Sequence, residues 1–122
     1  MPLPVGLWKA NVNGAECELH INEAGGLVTG SLLNEEIHGS WNETAQSVSF
    51  VSLDRSHPPD TFRGFYAGYL FSTPRDAQPG RDILWTLCGT LHATPQWYSS
   101  VFRNAHPLRN VFGWYAQISQ IL

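Results

Sequence analysis

The sequence predicts an all-β domain, either a closed antiparallel barrel or a sandwich, and three observations carry that expectation. Hydrophobic residues recur with period two almost throughout. The apolar segments are short and are separated at near-regular spacing by turn signals rich in Gly, Pro and Asn. No segment carries the period of about 3.6 residues over the length a helix needs. Composition agrees: the 122 residues include eleven Gly, eight Pro, five Trp, four Tyr and six Phe, a balance that favours compact β structure over helical or disordered chains. A chain of this length buries about two-thirds of its unfolded surface and folds without staples, so residues 1–122 are expected to form one domain.

Taken in order, the first strand is expected over residues 5–11, entered directly from Pro2-Leu3-Pro4. The second, 15–21, alternates most cleanly: Ala15, Cys17, Leu19 and Ile21 share one face, and Glu16, Glu18 and His20 the other, the pattern of a half-buried strand. Asn22-Glu23-Ala24-Gly25-Gly26 is polar and ends in glycine, and the apolar pattern resumes over 27–33, so these two strands form a hairpin. Glu35-Glu36 is read as a turn before the fourth strand at 37–42. Strands at 47–53, 62–71, 82–93 and 110–118 bring the count to eight. Residues 54–60, with His57-Pro58-Pro59, and 72–80, with Pro74 and Pro79, are loops by composition. Residues 94–109, broken by Ala105-His106-Pro107, are also read as loop.

Charge excludes some partners. Only 14% of residues are charged, the net charge is −3, and the seven basic side chains are scattered singly. Without a basic stripe, neither nucleic acid nor an anionic membrane is expected as a partner. No apolar run approaches the roughly 18 residues of a membrane helix. Cys17 and Cys88 lie far apart and form no metal or redox motif; they are read as unpaired buried thiols, or as a disulfide if the protein is exported. The residues before the first strand have neither the basic stretch nor the apolar core of a signal peptide. The expected location is therefore the cytoplasm, or the outside of the cell after removal of a leader.

Six segments occur in an informative order: Gly6-Leu7-Trp8, Leu27-Val28-Thr29-Gly30-Ser31, Ile37-His38-Gly39-Ser40-Trp41-Asn42, Phe65-Tyr66-Ala67-Gly68-Tyr69, Ile83-Leu84-Trp85-Thr86-Leu87 and Asn110-Val111-Phe112. In order and approximate spacing, over nearly the whole chain, they resemble the avidin/streptavidin family. That resemblance implies an eight-stranded antiparallel up-and-down β-barrel holding a small organic molecule in its open end, with biotin as the candidate ligand and no other cofactor. It places Asn110 as an acceptor for a ureido N–H, Tyr66 and Trp85 as aromatic walls, and Trp97 or Phe102 as the lid that a neighbouring subunit inserts. The set expected to bind ligand is Asn11, Leu32, Asn34, Tyr66, Trp85, Trp97 and Asn110.

The departures from the family pattern are equally informative. The donors that cradle the ureido oxygen fall on Ala10 or Asn11, on Gly14 or Ala15, and on Leu32, so at least two are lost. Each missing bond costs about 1–3 kcal/mol, and two would weaken binding by about two to four powers of ten. Leu53 stands where the family has a tryptophan wall, and extra residues including 104–108 reshape the lid region. A cup lined by Leu32, Leu53, Tyr66 and Trp85 suits a more apolar guest, oriented by Asn11, Asn34, Asn42 or Asn110.

Two other classes compete. A small barrel enzyme of the cyclase or isomerase type would rely on shape and a few polar groups. However, none of His20, His38, His57, His92 and His106 has metal-ligand spacing or a nucleophile motif, and no catalytic residue is expected. An assembly role rests on apolar residues in both phases of two strands: Phe65, Tyr69 and Phe71 in one, Trp114, Ala116 and Ile118 in the other. One phase must face outward, so a homo-oligomer, dimer or tetramer, is expected.

Overall fold

In a computed structural model that describes residues 2–54, 61–74, 82–93 and 110–121, the chain is a closed barrel of eight antiparallel strands, each paired with its sequence neighbour. They are β1 (Gly6–Val12), β2 (Ala15–Ala24), β3 (Leu27–Leu32), β4 (Glu35–Asn42), β5 (Ser47–Asp54), β6 (Thr61–Pro74), β7 (Asp82–Ala93) and β8 (Asn110–Ile121). The ring closes where Lys9–Val12 of β1 pair with Gln117–Trp114 of β8. Closure removes the sandwich alternative and leaves no sheet edge to aggregate. Among the described residues there is no helix, hence none long and apolar enough to cross a membrane.

Short turns set the register. Asn13-Gly14, Leu33-Asn34 and Gly25-Gly26 each have positive φ at both positions, the backbone of a two-residue type I′ hairpin, whose twist matches that of its strands. Side chains tie the corners: the Gly14 N–H donates to Asn11 Oδ1 and the Gly26 N–H to Glu23 Oε1, both at 2.8 Å. The Ala45 N–H donates to Asn42 Oδ1 at 3.0 Å in the next turn. Because Leu33-Asn34 takes only two residues, Glu35 and Glu36 belong to β4, correcting their assignment to a turn. Ser72, Thr73 and Pro74 likewise extend β6 rather than starting the loop, because they pair with Trp85, Leu84 and Ile83.

Alternation then fills the interior. Trp8, Ala10 and Val12 of β1, Leu19 and Ile21 of β2, and Trp114 and Ala116 of β8 are all buried, while their neighbours face out. Mid-barrel, the Phe50 and Tyr66 rings stack at 4.8 Å and Trp114 meets both edge-on at 5.7 and 5.8 Å, geometries that the ring quadrupoles favour. Gly68 makes this possible, since a Cβ there would lie 2.9 Å from Trp114 Cζ2 and 2.7 Å from the Cys88 carbonyl oxygen.

The barrel has two unlike ends. At the lower end, where β1 begins and β8 finishes, Leu3 and Pro4 fold inward, and the Trp8 indole donates to the Pro4 carbonyl at 3.1 Å. Trp41, Leu70 and Trp85 are buried at the same end. The β1–β2 and β3–β4 turns lie at the upper end, where the segments 55–60 and 94–109 also join the strands. Of the turn residues, Leu33 is the costly one: at φ 53° it holds a left-handed conformation that strains a branched side chain by about 1–2 kcal/mol. Leu33→Asn is therefore expected to stabilise the protein by about 1 kcal/mol, raising the midpoint of thermal unfolding by several degrees. An unchanged or lower midpoint would show that this turn carries no such strain.

Candidate functional site

Strand alternation brings four polar side chains into the upper interior. Cys17 of β2 and Glu35 of β4 are half-buried, whereas Ser52 of β5 and Tyr66 of β6 are 4% and 3% exposed. They sit among inward apolar residues: Leu32, Leu53, Leu91 and Phe112. Gly64 faces the same space, where a Cβ would meet Leu91 Cδ1 at 2.7 Å, Tyr66 Cε1 at 3.2 Å and Ser52 Oγ at 3.5 Å. The Tyr66 ring also stacks on Phe50, and Trp114 meets both edge-on, so that these three rings form an aromatic floor to the group.

The electrostatics follow from burial. Tyr66 is pushed up to about 12, first by burial, then by the negative charge of Glu35 and by Cys17, against a smaller opposing effect of its hydrogen bond with Ser52. Burial also pushes the Cys17 thiol up. At neutral pH the site therefore offers a phenol and a thiol that keep their protons, a hydroxyl able to donate or accept, and the Glu35 carboxyl group, whose Oε2 is shielded from solvent. A protonated thiol is a poor nucleophile. The group can donate to and accept from a neutral guest. Among the described residues no cluster of three or more His, Cys, Asp or Glu is placed to hold a metal ion.

The residues expected from sequence to bind ligand disperse in the structure. Leu32 and Tyr66 do point into the upper interior. Trp85 is buried but belongs to the lower end, six residues along β7 from Leu91, which pairs with Tyr66; that is about 20 Å of extended strand. Asn11 turns outward and closes the β1–β2 corner, so Ala10 is the inward residue of that pair. Asn34 is exposed in its turn, with φ 62°. Asn110 opens β8 opposite Ala93 at the upper end, and Trp97 and Phe102 lie outside the described residues.

Cys17, Glu35 and Ser52 were not among the expected residues. Ser52 leaves a trace in the sequence: it is a hydroxyl in the phase of Val48 and Phe50, where another apolar residue would fit. Glu35 leaves none, because a pair of glutamates after an asparagine reads as solvated turn.

Grooves formed by described residues run along the outside; one of about 510 Å³ lies where β8 meets β1 and β2, lined by Lys9, Glu16, Glu18 and Tyr115 among others. Compared with protein-family models, with curated proteins and with solved structures, the chain matches none.

Tyr66 makes the site measurable. Its folded-state value lies above the ordinary tyrosine value of 10, so the protonated phenol is favoured in the fold. That stability is fully present below pH 10 and is lost as pH rises towards 12, by about 2–3 kcal/mol. Absorbance at the phenolate wavelength should show one of the four tyrosines ionising late, and Tyr66→Phe should remove that late phase and flatten the alkaline loss of stability. A variant curve that is merely smaller, with the same shape, would contradict the assignment.

Proposed function

We propose that the chain is a non-catalytic receptor for a small neutral organic molecule, held at the upper end of the barrel in the manner of avidin. The observation that carries this reading is the Tyr66–Ser52–Glu35–Cys17 group inside an otherwise apolar interior. Burying hydroxyls and a carboxylate costs free energy that an all-apolar plug would avoid, and a barrel built for stability alone has no use for them. Convergent polar groups over an aromatic floor are what orient a ligand in a mostly apolar pocket.

Biotin is the candidate that the family resemblance supplies, and this group supports it in a new way. Tyr66 and Ser52 hydroxyls are donors suited to a ureido oxygen, and the Glu35 carboxylate is an acceptor suited to a ureido N–H. They would replace the donors whose family positions fall on Ala10 or Asn11, on Gly14 or Ala15, and on Leu32. A raised thiol and a raised phenol favour binding over covalent catalysis.

Thermal unfolding with and without biotin, and then with a panel of neutral cyclic ureas, amides and alcohols, tests the reading. A ligand at 100 times its Kd stabilises the fold by about 2.7 kcal/mol, a shift of many degrees. Tyr66→Phe and Glu35→Gln are each expected to weaken binding about tenfold. No shift with biotin retires biotin, and no shift across the panel, or shifts that both variants leave untouched, overturns the receptor reading.

A further inference from the structure

The lower end of the barrel holds a second set of groups, apart from the upper site. Trp8 of β1, Trp41 of β4 and Trp85 of β7 are buried there, on strands that stand three, three and two apart around the closed ring. Indoles thus reach the lower interior from three sides. Among the described residues none of them takes part in the stacked and edge-on ring contacts, which belong to Phe50, Tyr66 and Trp114. Leu3 joins the same buried cluster and Pro4 is buried next to it in the chain, although Pro2, Val5 and Gly6 on either side are exposed. The chain dips two residues into the barrel and comes out again. The Trp8 indole N–H donates to the Pro4 carbonyl at 3.1 Å. The Trp41 indole nitrogen, on a side chain only 8% exposed, is shielded from solvent and has no acceptor.

We propose that the lower end is a second binding site, for a compact neutral molecule that accepts hydrogen bonds and does not donate them, such as a cyclic ketone, a lactone or a tertiary amide. The chain's own Leu3-Pro4 occupies it in the absence of that molecule. The chemistry of the walls sets the class of guest. An indole N–H only donates, and the one buried polar or charged side chain among the described residues, Ser52, belongs to the other end. A guest's own N–H or O–H would find no side-chain acceptor and a charge no counterion, and burying either unpaired costs free energy. Leu3-Pro4 displays the mode of recognition: aliphatic bulk among indoles, and a carbonyl oxygen on an indole N–H.

Two observations make the segment an exchangeable occupant. It lies outside the ladders: β1 pairs with β2 only from Gly6 and with β8 only from Lys9, and Pro2 and Pro4 have no N–H with which to join either. Gly6, at φ 127°, holds a conformation open to glycine and to little else, so the segment leaves β1 through its most permissive residue. It also satisfies Trp8 and leaves Trp41 unpaired. A buried donor without an acceptor is destabilising and uncommon in native proteins. A guest with an acceptor for Trp41 removes that cost, and this difference in contacts is what shifts the equilibrium from the closed to the occupied form.

Camphor, a bicyclic ketone, and camphane, the same hydrocarbon frame without the oxygen, are the probes that test this site. Each is titrated into the isotope-labelled whole chain and followed by nuclear magnetic resonance of the indole N–H groups of the five tryptophans, assigned through Trp8→Phe and Trp41→Phe. Camphor should move the Trp8 and Trp41 signals, with Trp41 shifting downfield as it gains an acceptor. Camphane should bind about tenfold more weakly. Leu3→Ala, which trims the occupant, should tighten camphor binding about tenfold, and Trp41→Phe, which keeps a ring and removes the donor, should weaken it about tenfold. If Trp41→Phe does not fold, the comparison of camphor with camphane on the unaltered chain carries the same test. Indole signals that stay unmoved up to the solubility limit of camphor, equal affinities for the two probes, or a Leu3→Ala affinity equal to that of the parent chain overturns the proposal. Shifts at Ser52 and Gly64 with the two indoles unmoved would place camphor in the upper group and overturn it as well, leaving the receptor reading of that group standing.

Discussion

The seam between β1 and β8 is what the rest of the molecule depends on. It is a short ladder, four residue pairs from Lys9–Gln117 to Val12–Trp114, whereas the β7–β8 ladder runs the length of both strands. Only when this ladder forms do the inward side chains face one another across a closed space rather than across an open sheet. The seam is supported from within: Trp114 belongs to its last pair and also packs edge-on against Phe50 and Tyr66 from the far wall. The Asn13 N–H adds a bond to the Gly113 carbonyl at 3.0 Å just beyond the ladder. Closure and core packing are therefore one event, reached through contacts distant in sequence, which is the kind of topology that folds slowly.

The same packing divides the interior by chemistry. Below the aromatic floor lie indoles and aliphatic side chains sealed by Leu3 and Pro4; above it four polar groups share an apolar rim. Polar side chains enter the barrel where the strands end, near the segments that join β5 to β6 and β7 to β8. The polar groups thus gather at one end of the barrel, and the apolar half supplies the rigidity that holds them in place.

Much of the fold was legible because period-two alternation has one simple meaning. Ala15 to Ile21 read as a half-buried strand and is one, and Gly25-Gly26 announced its hairpin. Elsewhere the signal failed for identifiable reasons. Leu33 is an uncommon residue at positive φ, so the tight turn it shares with Asn34 was hidden and Glu35 was displaced from its strand. On β6 and β8 both phases are apolar, so alternation alone does not say whether Phe65, Tyr69 and Phe71 or their neighbours face outward; packing settles it by drawing Tyr66, Leu70, Trp114 and Ala116 inside. The candidate site was least legible, since Cys17, Glu35, Ser52 and Tyr66 come from four strands and meet only after closure. Asn11 misled because a corner-closing asparagine and a ligand-binding one look alike in sequence.

The first and last strands both have their outer ends at the lower rim, where Trp8 pairs with Leu19 of β2 and a Cβ on Gly6 would lie 3.7 Å from Ile118 Cδ1. The polar group is at the other rim. A tether or fusion partner attached beyond β1 or β8 would thus hang from the rim opposite the polar group. Joining the two termini by a linker and reopening the chain at an upper turn such as Asn13-Gly14 would give a circularly permuted barrel with the same ladder order. In that form the attachment points would move to the mouth, so a reporter placed there would sit beside any bound guest.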